Sequence, residues 1–340
     1  MTWYVACLSD ELRRKPVART VAGTPLVLFR AETGRPAVFL DRCPHRNVPL
    51  SCGTVQDGLL ECCYHGWRFD SAGACRLVPG LTGDDADRRA RRPTTYPATE
   101  QDGFVWVATA DAQGVAAPPP FGFPHVENPA YTTVRRSAVL EAGLHPCLEN
   151  TLDVPHTAFL HGGLFRGGRE PVEIEVVVRP IDGGVEAEYL GEPRPEGLAG
   201  RVLAPEGGIV THFDRFLLPS IAQVEYRLGE NHLLVTSAFT PVAEHQTLLH
   251  SAITFHLRLP HAAVKAAVMP IANRILNQDA RILRLQSESV RRFGGEHFAS
   301  TELDVLGQHI RKLLRQAERG ESPDDGAAAG EPERRVRMRV

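Results

Sequence analysis

Between residues 18 and 107, short apolar runs such as Leu26-Val27-Leu28-Phe29 and Phe104-Val105-Trp106-Val107 alternate with Gly, Pro and Asp. β-Branched and aromatic runs of that length, broken so often, predict short strands joined by tight turns. The pattern lapses over residues 111–124, where Pro118-Pro119-Pro120 favours an extended connection. A domain boundary is placed there, giving an all-β domain over residues 1–115 and a second domain over 116–320. In the second, residues 138–161 read as helical, and residues 172–178, 223–227, 233–239 and 248–259 as antiparallel strands. Residues 261–293, following Pro260, read as one long helix; Pro270 inside it predicts a kink or a main helix starting near that point. An amphipathic helix is expected over residues 301–319, with Thr301 and Asp304 spaced as a capping box. The last stretch, 321–340, is polar and Gly/Pro/Ala-rich, which predicts a mobile tail. Its closing Arg335-Val336-Arg337-Met338-Arg339-Val340 alternates with period two, so an edge strand is the alternative.

Composition narrows the class. Apolar residues make up 43% of the 340 and charged residues 23%, ordinary globular values that fit two domains. A net charge of −3 offers no basic field for nucleic acid or an anionic membrane. No run approaches the roughly 18 apolar residues of a membrane span, and the start lacks a basic, then apolar, leader, so a cytoplasmic protein is expected. Seven cysteines stand at 7, 43, 52, 62, 63, 75 and 147, four of them between 43 and 63 and interleaved with histidine. In a cytosolic chain such a cluster points to metal before disulfide.

Cys43-Pro44-His45 and Cys62-Cys63-Tyr64-His65, sixteen residues apart, form two Cys/His chelating pairs. Two thiolates on one iron and two imidazoles on the other are the ligand set of a Rieske [2Fe-2S] centre. Cys₂His₂ is equally a structural zinc set. Cys63 could chelate in place of Cys62, but two residues between Cys62 and His65 suit the second loop better. Cys52 and Cys63 are then bystanders, or a disulfide beside the cluster.

Residues 149–161 carry His156 and His161, five apart, with Asp153 a turn earlier. On an ideal helix residues five apart diverge by about 140°, so a shared metal needs the helix to end between them. Pro155 and Gly162-Gly163 are where that is expected. Two imidazoles and one carboxylate make a facial triad with open positions. The candidate carboxylate is Asp279, which helical spacing puts in a stripe with Ile275, Ile282 and Leu283. A carboxylate there needs a partner, either a metal or an arginine such as Arg274 or Arg281.

Cys-Pro-His-Arg at 43–46, Tyr-His-Gly-Trp at 64–67 and Asn150-x-x-Asp153-x-x-His156-x₄-His161 resemble the motifs of Rieske-type non-haem iron oxygenases, the ring-hydroxylating dioxygenases and O-demethylases. The resemblance spans about residues 3–319 and implies an α+β fold, with an N-terminal all-β Rieske domain and a C-terminal helix-grip (START-like) catalytic domain whose antiparallel sheet wraps a long helix. It implies that Cys43, His45, Cys62 and His65 hold a [2Fe-2S] cluster, that His156, His161 and Asp279 hold Fe(II), and that Trp67 and Arg46 lie beside the cluster. It implies further that Asp153, with Asn150 in the same motif, links His156 to a cluster histidine of a neighbouring subunit in a homotrimer.

The expected function is oxygen insertion from O₂ into a small molecule by a monooxygenase or demethylase. Cis-dihydroxylation and oxidative cyclisation on the same iron are the alternatives. No Gly-x-Gly-x-x-Gly opens a helix, so a separate reductase or ferredoxin is expected to supply electrons. Residues 213–226 and 235–241 are expected to line the cavity, and their Phe, Leu, Val and Ile suggest a largely apolar substrate. Two other classes compete. The histidine pair argues against a Rieske electron carrier, and the complete ligand sets argue against a helix-grip binding protein with decayed metal sites.

Overall fold

The computed structural model of the chain describes residues 2–83, 86–109, 119–162, 172–193, 209–257, 260–321 and 333–339. It divides into two units, Met1–Gly122 with Thr240–Ala243, and Phe123–Phe239 with Glu244–Val340. No helix among the described residues is long and apolar enough to cross a membrane.

The first unit is built from three antiparallel sheets. One joins β1 (Thr2–Leu8), β11 (Phe104–Thr109) and β10 (Ala98–Gln101); the second joins β2 (Val17–Val21), β3 (Thr24–Arg30), β4 (Pro36–Leu40) and β9 (Thr95–Tyr96). The third runs β5 (Thr54–Gln56), β6 (Leu59–Glu61), β7 (Arg68–Phe69) and β8 (Cys75–Leu77). β5 and β6 are joined by Asp57-Gly58, both at positive φ (49° and 73°). That is the backbone of a two-residue turn whose twist matches a hairpin. A Cβ on Gly58 would lie 2.1 Å from the Glu32 nitrogen, so the turn needs glycine for space as well. The hairpin's register sends Leu60 inward and brings the chain to Cys62. Phe29 and Phe39 meet edge to face at 5.1 Å in a core shared with Leu50, Leu60, Phe69, Cys43 and Cys62. Truncating one such phenyl ring costs about 3–5 kcal/mol.

The second unit is one antiparallel eight-stranded sheet with helices packed on its inner face. Its strands are β12 (Thr132–Leu140), β13 (Glu173–Ile181), β14 (Gly184–Leu190), β15 (Thr211–Leu217), β16 (Ile221–Leu228), β17 (Asn231–Ala243), β18 (Gln246–His256) and β19 (Arg334–Arg339). They lie in the order β12-β18-β17-β16-β15-β14-β13-β19. The helices are α1 (Leu144–Thr151), α2 (His156–Leu160), α3 (His261–Phe293) and α4 (Gly307–Glu318). The two-residue alternation of strands fixes the inner face. Leu140, Leu249, Phe239, Ala222, Phe216, Ala187 and Val176 point inward, into a core shared with Leu148 of α1, Leu283 of α3 and Ile310 of α4. The fold is thus α+β, as expected, with the long helix against the sheet.

Several local expectations change. Residues 138–140 end strand β12 and do not begin a helix; the chain turns at Gly143 before α1. α3 is helical from His261 through Pro270, so it does not start at the proline. One lost backbone bond leaves the rest of a 33-residue ladder intact. Gly294, left-handed at φ 78°, ends it. Asp304 accepts the Thr301 N–H at 2.6 Å and Thr301 Oγ1 accepts the Leu303 N–H at 3.2 Å, but these bonds close a turn ahead of α4, which begins only at Gly307. Strand β19 pairs with β13 at the sheet edge and turns Val336 and Met338 inward. Residues 111–118 of the connection expected at 111–124, and 322–332 of the tail, lie outside the described residues.

Candidate metal centres

Two loops of the first unit share one backbone design. In each, the cysteine N–H donates to the carbonyl five residues on, Val48 for Cys43 and Trp67 for Cys62. Its carbonyl accepts from the residue four on, Asn47 or Gly66, and that residue is left-handed in both loops (φ 62° and 67°). The design buries Cys43 and Cys62 side by side while His45 and His65 reach outward, their ring centroids 4.4 Å apart. Trp67 stacks flat on His45, 4.7 Å between centroids and 4° between planes.

The side chains fit an iron-sulfur cluster by their own physical chemistry. Burial pushes the Cys43 thiol up to about 11, so a thiolate there needs a bound cation. His45 Nδ1 is buried with no hydrogen-bond partner. Its pKa is held below the usual value by desolvation and by His65, which favours the neutral, ligating ring. Cys52 and Cys63 are exposed free thiols, not a disulfide, and Cys62 is the buried member of its pair.

In the second unit Pro155 opens α2, which is only five residues long, so the helix ends before His161. That break turns the two imidazoles toward each other: His156 Nε2 and His161 Nε2 are 3.3 Å apart. Asp279, more than a hundred residues later on α3, places Oδ1 3.1 Å from His161 Nε2 and 3.7 Å from His156 Nε2. Cis ligands on a metal with bonds of roughly 2.1 Å stand about 3 Å apart, so these three atoms fit one cation. Asp279 Oδ1 is buried without a well-directed hydrogen bond, an expensive state for a carboxylate that a shared cation would relieve. Arg274 and Arg281 are exposed, and neither pairs with it. The apolar stripe of α3 is Leu276, Ala280 and Leu283; Ile282, expected within it, is 42% exposed.

Surrounding groups hold both rings. The Gln278 amide oxygen takes the His161 Nδ1–H at 3.1 Å, which leaves the Nε2 lone pair for a metal. Burial lowers the His161 pKa, but Asp279 and Gln278 outweigh it and hold it above the ordinary value. Asp153 Oδ2 accepts the His156 backbone N–H at 3.2 Å and stands 3.3 Å from His156 Nδ1. Asp153 and Asn150 both border an open groove of about 920 Å³ that is also lined by Ile282, Leu285, Phe298 and Leu303. Sequence reasoning missed Gln278, whose only signal is its place beside Asp279.

The inner sheet face is less apolar than expected. Phe213 points to the opposite face, where Arg215 covers its ring, because the inward positions of β15 are His212, Asp214 and Phe216. His212 is fully buried, with Nδ1 2.6 Å from Glu192 and Nε2 3.1 Å from Asp214, and its ring lies between those of Tyr189 and Tyr226.

Each constellation lies within a stretch that matches a known family. Residues 2–95 match the Rieske [2Fe-2S] domain, and residues 140–320 match the vanillate O-demethylase oxygenase C-terminal domain. The dicamba O-demethylase oxygenase component of Stenotrophomonas maltophilia is 35% identical over 54% of this chain and 54% of its own. The 3-chlorobenzoate-3,4-dioxygenase oxygenase subunit of Comamonas testosteroni is 30% identical over 73% of this chain and 57% of its own. The chain thus spans just over half the length of these relatives. A crystal structure of dicamba monooxygenase bound to 3,6-dichlorosalicylic acid shares the fold at a TM-score of 0.81 and 24% identity, over 95% of this chain and 98% of that one. With both domain matches in order along the chain, the protein belongs to the Rieske-type non-haem iron oxygenases, with a C-terminal domain of the vanillate O-demethylase oxygenase kind.

Proposed function

We propose that the chain is the oxygenase component of a multicomponent Rieske monooxygenase or demethylase acting on a small aromatic or cyclic molecule. The observation that carries this reading is the convergence of His156, His161 and Asp279 on one point, in a chain that also carries the Cys43/His45 and Cys62/His65 loops. Bound by these residues, a [2Fe-2S] cluster would supply single electrons and Fe(II) would activate O₂. A separate reductase or ferredoxin delivers the electrons. Relatives are named for dicamba, vanillate and 3-chlorobenzoate, and we extend that class of small molecule to this chain.

The residues have distinct parts. Cys43, Cys62, His45 and His65 would hold the cluster, the two thiolates and the two imidazoles supplying its ligands. Asn150 and Asp153 stand at the groove, where Asp153 links His156 to a cluster histidine of a neighbouring subunit in a homotrimer. Two features support the docking. The groove adds the acidic Glu149, Glu296 and Asp304 to its apolar side chains, and the loop tip around His65 exposes Tyr64, Arg42 and Arg46.

The test is iron and acid-labile sulfide per chain on anaerobically purified protein, with EPR of the dithionite-reduced sample. About three irons and two sulfides with a Rieske-type signal are expected. Zinc in their place would sink the reading. Two irons with that signal, unchanged after iron reconstitution, would favour an electron carrier.

A further inference from the structure

Four half-buried arginines are answered by carboxylates: Arg30 by Glu100, Arg68 by Glu61, Arg179 by Glu188 and Arg215 by Glu225. Arg136 is not. It occupies an inward position of β12, in register with Ser251 of β18, on the face that carries Leu140 and Leu249. Among the described residues no Asp or Glu pairs with it. Its Nε is buried without a hydrogen-bond partner, and its Nη2 donates only to the Met269 thioether of α3, at 2.6 Å. A thioether is a weak acceptor and returns little to a half-buried guanidinium.

The neighbouring strands add to the donor surplus. Ser251 Oγ is 2.7 Å from Ser237 Oγ of β17, and both side chains are buried. Two hydroxyls carry two protons, and their mutual bond uses one. Among the described residues nothing accepts the other. Three adjacent strands, β12, β18 and β17, thus turn a cation, an unanswered N–H and a spare O–H toward the same interior, and among the described residues no carboxylate pairs with them.

We propose that Arg136, with the Ser251–Ser237 hydroxyl pair, is the recognition site for a carboxylate on the substrate. This rests on the oxygenase reading and adds a substrate class to it. A planar guanidinium matches a carboxylate by charge and by geometry, and a buried pair of this kind rejects a neutral isostere because the donors would again be unanswered. Met269, which touches Arg136, and Asp279 lie on the same helix, ten residues and about 15 Å apart along it.

The test is equilibrium binding of benzoate and of benzamide to the iron-loaded protein by isothermal titration calorimetry. Benzoate should bind saturably and at least about tenfold more tightly than benzamide. R136M should erase that preference, and R136K, which keeps the charge but loses the fork, should retain part of it; circular dichroism checks that each variant folds. Equal affinities in the parent protein, no saturable benzoate binding in the millimolar range, or an unchanged preference in R136M or R136K would overturn the proposal. Iron, sulfide and EPR on the same batch report on the oxygenase reading separately, because the preference for benzoate does not depend on the metals being present.

Discussion

Gln278 and Asp279 are sequence neighbours that grip opposite nitrogens of one ring: the Gln278 amide oxygen takes the His161 Nδ1 proton at 3.1 Å, and Asp279 Oδ1 stands 3.1 Å from His161 Nε2. A short stretch of α3 therefore supplies both a candidate ligand and the group that fixes its partner's tautomer. Groups of this supporting kind typically contribute about 10–100-fold to metal affinity. Q278L should lower the affinity of the mononuclear site for iron by that order, read as iron retained against a graded chelator, with the Rieske-type EPR signal unchanged. Retention equal to that of the parent protein would remove Gln278 from the site.

Asp153 is positioned for two tasks, and two substitutions separate them. Its Oδ2 accepts the His156 backbone N–H, which an asparagine oxygen can also do, but only the carboxylate is charged beside His156 Nδ1. D153A and D153N should both keep cluster absorbance while O₂-dependent turnover falls at least about tenfold. Normal turnover in D153N would assign the residue to capping alone.

The candidate ligand pairs were legible because chelation is local. Cys43 with His45, Cys62 with His65, and His156 with His161 each sit within a few residues, and Pro155 marks where a helix must break. Asp279 stood out as a carboxylate in an apolar stripe, although Ile282 of that stripe is exposed and the packing uses Leu276, Ala280 and Leu283. Residues 138–140 read as helical because Ser137-Ala138-Val139-Leu140 has no strong period of its own; its pairing with β18 decides. The polar inner face was not legible. Alternation says that His212 and Asp214 share a face, but not that Glu192, beyond the end of β14, comes back to meet them.

Burial separates Cys62 from its neighbour. Cys62 is 2% exposed and its N–H and carbonyl close the loop, whereas Cys63 and Cys52 lie open to solvent. C62S should abolish the Rieske-type signal and the two sulfides per chain. C63S and the double variant C52S/C63S should retain both, and should lose reactivity toward a thiol reagent under native conditions. A lost signal in C63S would move the ligand by one residue.

Stability should depend on pH through His212. Burial alone would depress its pKa, but Asp214 and then Glu192 outweigh that and raise it to about 9 from the ordinary 6.5. A raised histidine contributes stability that is fully present below pH 6.5 and is lost as pH climbs through about 9, because the folded state holds a proton that the unfolded chain has released. The shift corresponds to an upper bound of about 3 kcal/mol. Urea unfolding at intervals from pH 6 to 10 should show the loss in the parent protein. H212Q should be less stable at pH 6 and flatter across the window, since its amide can bond to the carboxylates but carries no proton to lose. Parallel pH curves for the two proteins would show that the charge on His212 is not what the fold uses.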